Sequence, residues 1–261
     1  MSSTNGRVTF LGSGTSHGVP MIGCRCAVCT STDERDKRMR PSIYVQWADG
    51  TSLLVDTTPD LRSQALRHGV ERVDAVLFTH CHADHVMGLD EVRRFNILQK
   101  TTIPCFGNDD TLTDLRRIFN YAFEATDLGG GLPRIELRLA GERMWFGGHE
   151  VRAVPVWHGP RMILGYRFGT FAYLTDCNAI PDASWPLLED LDTLVIDAVR
   201  HKPHKTHFNV EGALDAIRRI RPRRAYLTHL NHDLGHVATN AALPQGVELA
   251  YDGLVLELGT G

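Results

Sequence analysis

The chain has 261 residues, 43% of them hydrophobic and 23% charged, and a net charge of −3. This is the composition of a globular protein with room for a sizeable core, and its slight acidity argues against a broad nucleic-acid surface, which is normally basic. No run approaches membrane-spanning length and residues 1–7 have no apolar signal core, so the expected location is the cytoplasm with no membrane partner; the six cysteines, three of them crowded together, fit a reducing compartment.

Residues 7–11 read as a first strand. The glycine-rich loop 12–18 is followed by no helix, and Pro20 and Gly23 interrupt the chain. It is therefore not a dinucleotide fingerprint but a loop that approaches the metal-binding stretch below. Cys24, Cys26 and Cys29 put three thiols in six residues of a turn-rich loop. They can wrap one tetrahedral zinc if a fourth ligand comes from elsewhere; three unrelated reduced cysteines are the alternative. The mixed charged run 33–40 reads as a solvated loop or as an anion-binding rim. Residues 42–47 and 51–55 predict a hairpin around Asp49 and Gly50, with Asp56 ending its second strand. Thr58 is expected to cap a helix that starts at Pro59, carries Leu61, Ala65 and Leu66 on its apolar face and stops at Gly69.

The short apolar run 74–79 predicts a buried strand, and it leads into four metal-binding side chains within six positions: His80, His82, Asp84 and His85. In extended chain His80 and His82 share a face, with Cys81 and Ala83 pointing back into the protein. The chain must then turn to bring Asp84 and His85 to a neighbouring point. Four such groups would be costly to desolvate together without a cation, and imidazole with carboxylate suits Zn, Fe or Mn.

Residues 89–98 have helical spacing, 103–106 read as a strand, and Asn108 caps a helix reaching about Tyr121. Cys81, Cys105 and Cys177 read as core thiols. The loop 125–133 carries a glycine run and either separates two αβ halves or covers the site. Strands follow at 135–139, 143–146 and 150–156, with His158 just after the last. A hairpin of 166–168 and 171–174 delivers Asp176 at a strand end. After a buried strand at 193–197 comes a basic segment containing His201, His204 and His207, and Asn209 then caps a helix to Ile220. Residues 225–228 form a strand that ends in His229 and, three residues on, His232. The last strands are 247–250 and 254–258.

The pattern His80-x-His82-x-Asp84-His85 resembles the signature of metallo-β-lactamase fold hydrolases, and the likeness extends over most of the chain. It implies a single domain spanning 1–261, an α/β four-layer αβ/βα sandwich, and a dinuclear metal site at one edge. By position it makes His80, His82 and His158 the ligands of one metal and Asp84, His85 and His229 those of the other, with Asp176 bridging and Asp56 orienting a ligand from behind. The loops 14–20 and 23–29 resemble one subgroup of the fold, which contains the phosphoribosyl cyclic phosphate phosphodiesterase of phosphonate breakdown. In that subgroup three cysteines and a distant histidine hold a structural zinc, here Cys24, Cys26, Cys29 and His232.

The expected chemistry is hydrolysis of a small phosphodiester, linear or cyclic, by a hydroxide activated between two divalent ions, Zn or Mn, with Fe as a further option. Asp84 ligates and accepts a hydrogen bond from the nucleophile. His207 is the candidate proton donor to the leaving group, because its ordinary pKa lies near neutrality and the seven ligand positions are filled without it. A lactonase or thioesterase of the same fold is the alternative. The acidic balance and the lack of a long basic arm argue against a tRNA 3′-processing endonuclease. Pyrroloquinoline quinone biosynthesis proteins share a similar cysteine loop and the segment 58–62, but tend to lack the full metal set present here. The partner is a small-molecule substrate; a homodimer is compatible with the sequence.

Overall fold

A computed structural model describes residues 6–124 and 131–259. In chain order they form β1 (Gly6–Gly12), β2 (Ser42–Trp47), β3 (Ser52–Val55), α1 (Leu61–His68), β4 (Ala75–Leu77), α2 (Ala83–Val86), α3 (Val92–Gln99), β5 (Ile103–Gly107), α4 (Asp109–Ile118) and β6 (Ile135–Leu139). Then follow β7 (Arg143–Phe146), β8 (His149–His158), β9 (Arg161–Phe168), β10 (Phe171–Leu174), β11 (Thr193–Asp197), α5 (Val210–Ile220), β12 (Arg224–Thr228), α6 (His236–Ala242), β13 (Val247–Leu249) and β14 (Val255–Leu258). Strands β14-β1-β2-β3-β4-β5-β6 make one sheet and β13-β12-β11-β10-β9-β8-β7 the other.

The layering follows from strands that are buried at every position, and so are covered on both faces. In β4, Ala75 and Leu77 point into the core between the sheets, while Val76 and the following Phe78 point under the helices of the first sheet, against Leu61 and Phe95. In β11, Val195 faces the inter-sheet core, whereas Leu194 and Ile196 face Ala213 and Ala216 of α5. The product is a four-layer αβ/βα sandwich. Asn108 and Asn209 cap α4 and α5 as their sequences predict, accepting from the N–H of Thr111 at 2.9 Å and of Gly212 at 3.1 Å.

Parallel pairing decides where function can sit. Strands β3, β4 and β5 run parallel, as do β10, β11 and β12, so their C-terminal ends are gathered at sheet edges. Hydrogen bonds join the sheets at that edge. The Tyr166 hydroxyl donates to the Phe78 carbonyl at 2.6 Å, and the Leu164 N–H donates to the Thr79 carbonyl at 3.0 Å.

Several sequence expectations need correction. Helix α1 starts at Leu61, not Pro59: Thr58 Oγ1 instead accepts from the Asp60 N–H at 3.1 Å and donates to Gln64 Oε1 at 2.9 Å, building a turn ahead of the helix. Leu66 is 69% exposed and lies off its buried face. Ala83 is exposed because α2 begins there, and Cys81 is half-buried, donating to Asp114 at 2.8 Å, so neither joins the core. The loop 125–133 does not divide the sheets, since β6 beyond it still belongs to the first and β14 returns to that sheet; a flap at 125–130 lies outside the described residues. The run 33–40 is a solvated loop only in part: Glu34 and Arg35 are exposed, but its other two arginines are paired rather than free to form an anion rim. Arg38 is 2% exposed and pairs with Asp36 at 2.9 Å, while Arg40 pairs with Asp60 at 3.0 Å. No helix among the described residues is long and apolar enough to cross a membrane.

Tyr166 is fully buried, so Tyr166→Phe strands the Phe78 carbonyl at the join between the sheets. We expect a loss of about 1–3 kcal/mol, read as a melting temperature lower by roughly 2–10 °C. A melting temperature unchanged within a degree would show that the bond contributes nothing.

Candidate metal centre

Three strand ends present their functional residue in the left-handed backbone region. Asp56 follows β3 at φ 64°, Asp176 follows β10 at φ 57°, and His229 follows β12 at φ 60°. For residues with a Cβ this conformation costs on the order of 1–3 kcal/mol each and persists only where the surroundings enforce it. Here it turns the chain sharply at the edge, so that each side chain points along the rim. The fourth contribution comes from the stretch after β4. His80 is still extended, His82 is the residue before α2, and the first turn of α2 carries Asp84 and His85 back toward the same point. Gly88 ends that excursion against the backbone of 57–58, where a Cβ would lie 2.0 Å from the Thr58 carbonyl oxygen.

These residues meet in two groups. Ligand atoms of His80, His82 and His158 lie within 4.8 Å of one another, as do those of Asp84, His85, Asp176 and His229. Asp176 touches both: its Oδ2 is 3.2 Å from His229 Nε2 and 3.8 Å from His80 Nε2, and its Oδ1 is 3.2 Å from His85 Nε2. Asp84 Oδ2 lies 3.4 Å from His85 Nε2 and 3.6 Å from His229 Nε2. All seven side chains assigned to the site by sequence therefore stand around one centre.

Hydrogen bonds from behind set which nitrogen faces inward. His85 Nδ1 pairs with Asp56 Oδ2 at 2.7 Å, and His158 Nδ1 donates to the Thr206 carbonyl at 2.8 Å. Thr79 Oγ1 donates to Asp56 Oδ2 at 2.8 Å and so receives the proton of His80 Nδ1 at 3.0 Å. Each of these rings holds its proton on Nδ1 and turns the Nε2 lone pair to the centre, the arrangement that orients imidazole ligands of metals. The Nε2 atoms of His80, His85 and His229 are buried and form no hydrogen bond. Buried polar atoms without partners are rare and costly. A divalent cation is a partner that satisfies all of them at once, so the donor set fits one.

The charges point the same way. Burial would raise Asp176 and Asp84, but the neighbouring imidazoles (His229 and His85 for Asp176, His85 and His229 for Asp84) outweigh it and hold both carboxyls well below the usual range. Burial, reinforced by His85, drives His80 well down. His85 is pulled down by burial yet held well above its ordinary value by Asp176, Asp84 and Asp56. Burial also pushes Asp56 up, against the charge of His85.

Of the three histidines in the basic segment, only His207 reaches this centre. Its ring stacks on His229 at 4.7 Å and meets His158 edge-on at 4.7 Å, while His201 and His204 are exposed. Its Nδ1 pairs with Asp197 Oδ2 at 2.8 Å. The near-neutral pKa assumed for His207 does not hold: burial lowers it, opposed by Asp176 and Asp84. Sequence reasoning missed Asp197, which is fully buried and also stands 3.7 Å from His229 Nδ1. The signal was available, since Asp197 closes an apolar strand just as Asp56 does. It also missed Asn178, which accepts from the Gly159 N–H at 2.7 Å and donates to the Lys205 carbonyl at 3.3 Å, holding the His158 turn against the histidine-rich segment.

The second cluster is the sequence-assigned set Cys24, Cys26, Cys29 and His232. His232 Nδ1 lies 3.2 Å from Cys24 Sγ and 3.5 Å from the sulfurs of Cys26 and Cys29. The Cys29 N–H, donating to Cys26 Sγ, brings that thiol down to about 7, whereas burial pushes Cys29 up to about 11. Arg38 fixes the histidine side of this cluster by donating to the carbonyls of Asn231 at 2.9 Å and Leu234 at 2.6 Å. The loop 12–18 approaches the first centre from here: the Leu230 N–H donates to the Ser13 carbonyl at 2.9 Å, and the Thr15 N–H donates to the Leu230 carbonyl at 3.0 Å, next to His229.

A family model described as a β-lactamase superfamily domain matches residues 51–230. A crystal structure of a diphosphatase from the PhnP family is 44% identical, with a TM-score of 0.92 and 98% of each chain covered. Zinc-bound PqqB from Methylobacterium extorquens shares the fold, at 20% identity and a TM-score of 0.78 over 97% of this chain and 100% of that one. An octanoyltransferase of Porphyromonas gingivalis is 36% identical over 252 residues, 95% of this chain and 51% of that protein, so the chain spans about half the length of this relative.

Arg38 is a buried cation whose removal leaves Asp36 and two loop carbonyls without their donor. Arg38→Ala should cost about 3–5 kcal/mol, seen as a fall of roughly 5–20 °C in melting temperature. A fall of a degree or less would mean that the loop 231–234 is held by other contacts.

Proposed function

The chain belongs to the β-lactamase superfamily and, within it, to the PhnP family; on that premise we propose that it is a metal-dependent hydrolase of small molecules carrying a disubstituted phosphate, a phosphodiester or a diphosphate. The observation that carries this reading is the carboxylate of Asp176 placed between two inward-facing ligand groups. In this reading His80, His82 and His158 would hold one divalent cation and Asp84, His85 and His229 a second, with Asp176 within reach of both. One carboxylate with two oxygens reduces the repulsion between two adjacent cations. Bound there, the cations supply a nucleophilic water at neutral pH and stabilise charge on the phosphoryl oxygens.

The protein's own residues divide the remaining tasks. Asp56, Thr79 and the Thr206 carbonyl keep the rings in the tautomer that leaves Nε2 free. Asp84, held ionised by His85 and His229, contributes negative charge to the centre and accepts a hydrogen bond from the nucleophile. His207 delivers a proton from its ring to the departing oxygen. Asp197 receives the Nδ1 proton of His207 and fixes the ring, while Asp176 and Asp84 oppose the burial that lowers its pKa. Cys24, Cys26, Cys29 and His232 hold a zinc with four ligands and no open position, which makes it structural.

Elemental analysis of the purified chain should give two catalytic cations and one zinc. Cys26→Ser should lose the zinc and lower the melting temperature while leaving the other two cations; unchanged zinc would remove the structural site. A panel of phosphodiesters, diphosphates, lactones and thioesters tests the substrate class. The reading expects turnover of bis(p-nitrophenyl) phosphate or a diphosphate with little of the monoester; robust lactone or thioester cleavage alone would replace it.

His207→Ala should retain its catalytic cations. It should lose about 10²–10⁴-fold in rate on a diester with an alkyl leaving group, and far less on the p-nitrophenyl diester, whose leaving group needs no proton. Asp197→Asn should shift the same ratio in the same direction by less. Equal losses on both substrates would make His207 a positioning residue.

A further inference from the structure

The segment between β11 and α5 forms neither helix nor strand, and residues 201–205 are exposed. Its backbone is nonetheless held almost peptide by peptide. The His201 carbonyl accepts from Asn209 Nδ2 at 2.9 Å, and the Arg200 guanidinium donates to the carbonyls of Lys202 at 3.1 Å and Pro203 at 2.8 Å. Asn178 donates to the Lys205 carbonyl at 3.3 Å, and His158 Nδ1 to that of Thr206 at 2.8 Å. Thr206 also closes over the His158 turn, where a Cβ on Gly159 would lie 2.7 Å from its Cγ2. Residues so exposed bury no core, so what these bonds fix is the direction of the side chains the loop displays.

The side chain displayed next to the metal centre is His204. Its ring meets that of His207 edge-on, with centroids 4.9 Å apart and planes at 60°, and it is exposed, so it stands on the solvent side of His207. The Thr206 N–H donates to His204 Nδ1 at 3.3 Å, and the Thr206 hydroxyl lies 3.4 Å from the same nitrogen. A backbone amide can only donate, so Nδ1 is the acceptor and the proton of the neutral ring sits on Nε2. This is the reverse of His80, His85 and His158, which hold their proton on Nδ1 and keep Nε2 bare for a cation. Partial burial, with the charges of His207 and Arg200, lowers the pKa of His204 and so keeps its neutral form at pH 7. The mouth of the centre therefore carries a neutral N–H donor in a set direction. It lies beside the residue read above as giving its proton to the departing oxygen. A substrate atom that reaches His204 past His207 belongs to the leaving group, not to the phosphoryl group among the ligand residues. A fixed donor favours a partner that brings an acceptor and rejects one that leaves the donor unpaired.

We propose that His204 determines specificity for the leaving group: its Nε2–H donates to an oxygen carried a few bonds beyond the departing oxygen, so that oxygen-bearing leaving groups are selected over plain alkyl ones. This inference rests on the hydrolase reading. Dibutyl phosphate and bis(2-methoxyethyl) phosphate have arms of equal length that differ by one ether oxygen, and the two arms of each are identical, so either orientation presents the same group to His204. The Kd of each for the metal-replete chain is measured by titration calorimetry. His204→Phe keeps a ring beside His207 and removes the donor. It should raise the Kd of the methoxyethyl diester about three- to tenfold and leave that of the butyl diester unchanged. His204→Gln, whose amide offers an N–H near the Nε2 position, should recover most of the loss. The residue is exposed, so both variants should keep the melting temperature and metal content of the parent. Imidazole ¹⁵N resonances, with His204 identified by its loss in His204→Gln, should show a bare Nδ1 and a protonated Nε2. A protonated Nδ1, equal weakening of both diesters, or no change in either would overturn the proposal and leave the hydrolase reading standing. A parent that binds neither diester overturns it as well, and if that parent also hydrolyses no phosphodiester or diphosphate, the reading beneath it falls too.

Discussion

The site depends on an alternation of carboxylates and imidazoles that crosses from one sheet to the other. Asp56 meets His85, His85 meets Asp176, Asp176 meets His229, and His229 approaches Asp197, which holds His207. Every member of the chain is nearly or fully buried except His207 at its end. Any one of these charges alone would be expelled or neutralised by the apolar surroundings. Together they offset one another: His229 and His85 hold Asp176 below its ordinary range against burial, and Asp176, Asp84 and Asp56 in turn raise His85 above its own. Removing one member therefore unbalances the next, which is why residues that never face the centre, Asp56 and Asp197, belong to its electrostatics as fully as those that do.

Much of this was legible because local chemistry and long-range position coincide. The spacing of His80, His82, Asp84 and His85 works only where a strand ends and a helix begins, and that is where the chain puts it. Strand β11 and helix α5 could be read to the residue, since an unbroken apolar run and an Asn with a free turn behind it leave few alternatives. Asp197 was legible only as the close of a buried strand, as Asp56 is; its partner, a histidine ten residues later folding back over the strand end, was not. Arg38 misled for a related reason. A charged run looks solvated in sequence, and nothing local reveals that carbonyls nearly two hundred residues away will accept its protons. Helix α6 is short, begins without a side-chain cap and is held by tertiary contacts, so its sequence carries little periodic signal.

The two metal-ligating clusters are joined by backbone as well as by proximity. His229 and His232 are three residues apart, and between them Leu230 exchanges hydrogen bonds with Ser13 and Thr15 while Asn231 donates to the Val199 carbonyl at 3.0 Å. A cysteine loop that shifts must move Arg38 or residues 230–232, and so must disturb the strained φ of His229. The small cluster thus supports the large one mechanically, by limiting where one of its residues can stand.

The return of the last strand to the first sheet has a consequence for synthesis. β14 pairs with β1 from Gly6 against Leu258 to Thr9 against Val255, and the Asp252 carboxylate receives the N–H and hydroxyl of Ser13. On the ribosome, β1 is made long before β14 and must wait for nearly all of the intervening elements before its outer edge is covered. Contacts so distant in sequence form late and slowly. During that interval β1 is an open edge beside β2, so the nascent chain exposes to misassociation a strand whose final partner does not yet exist.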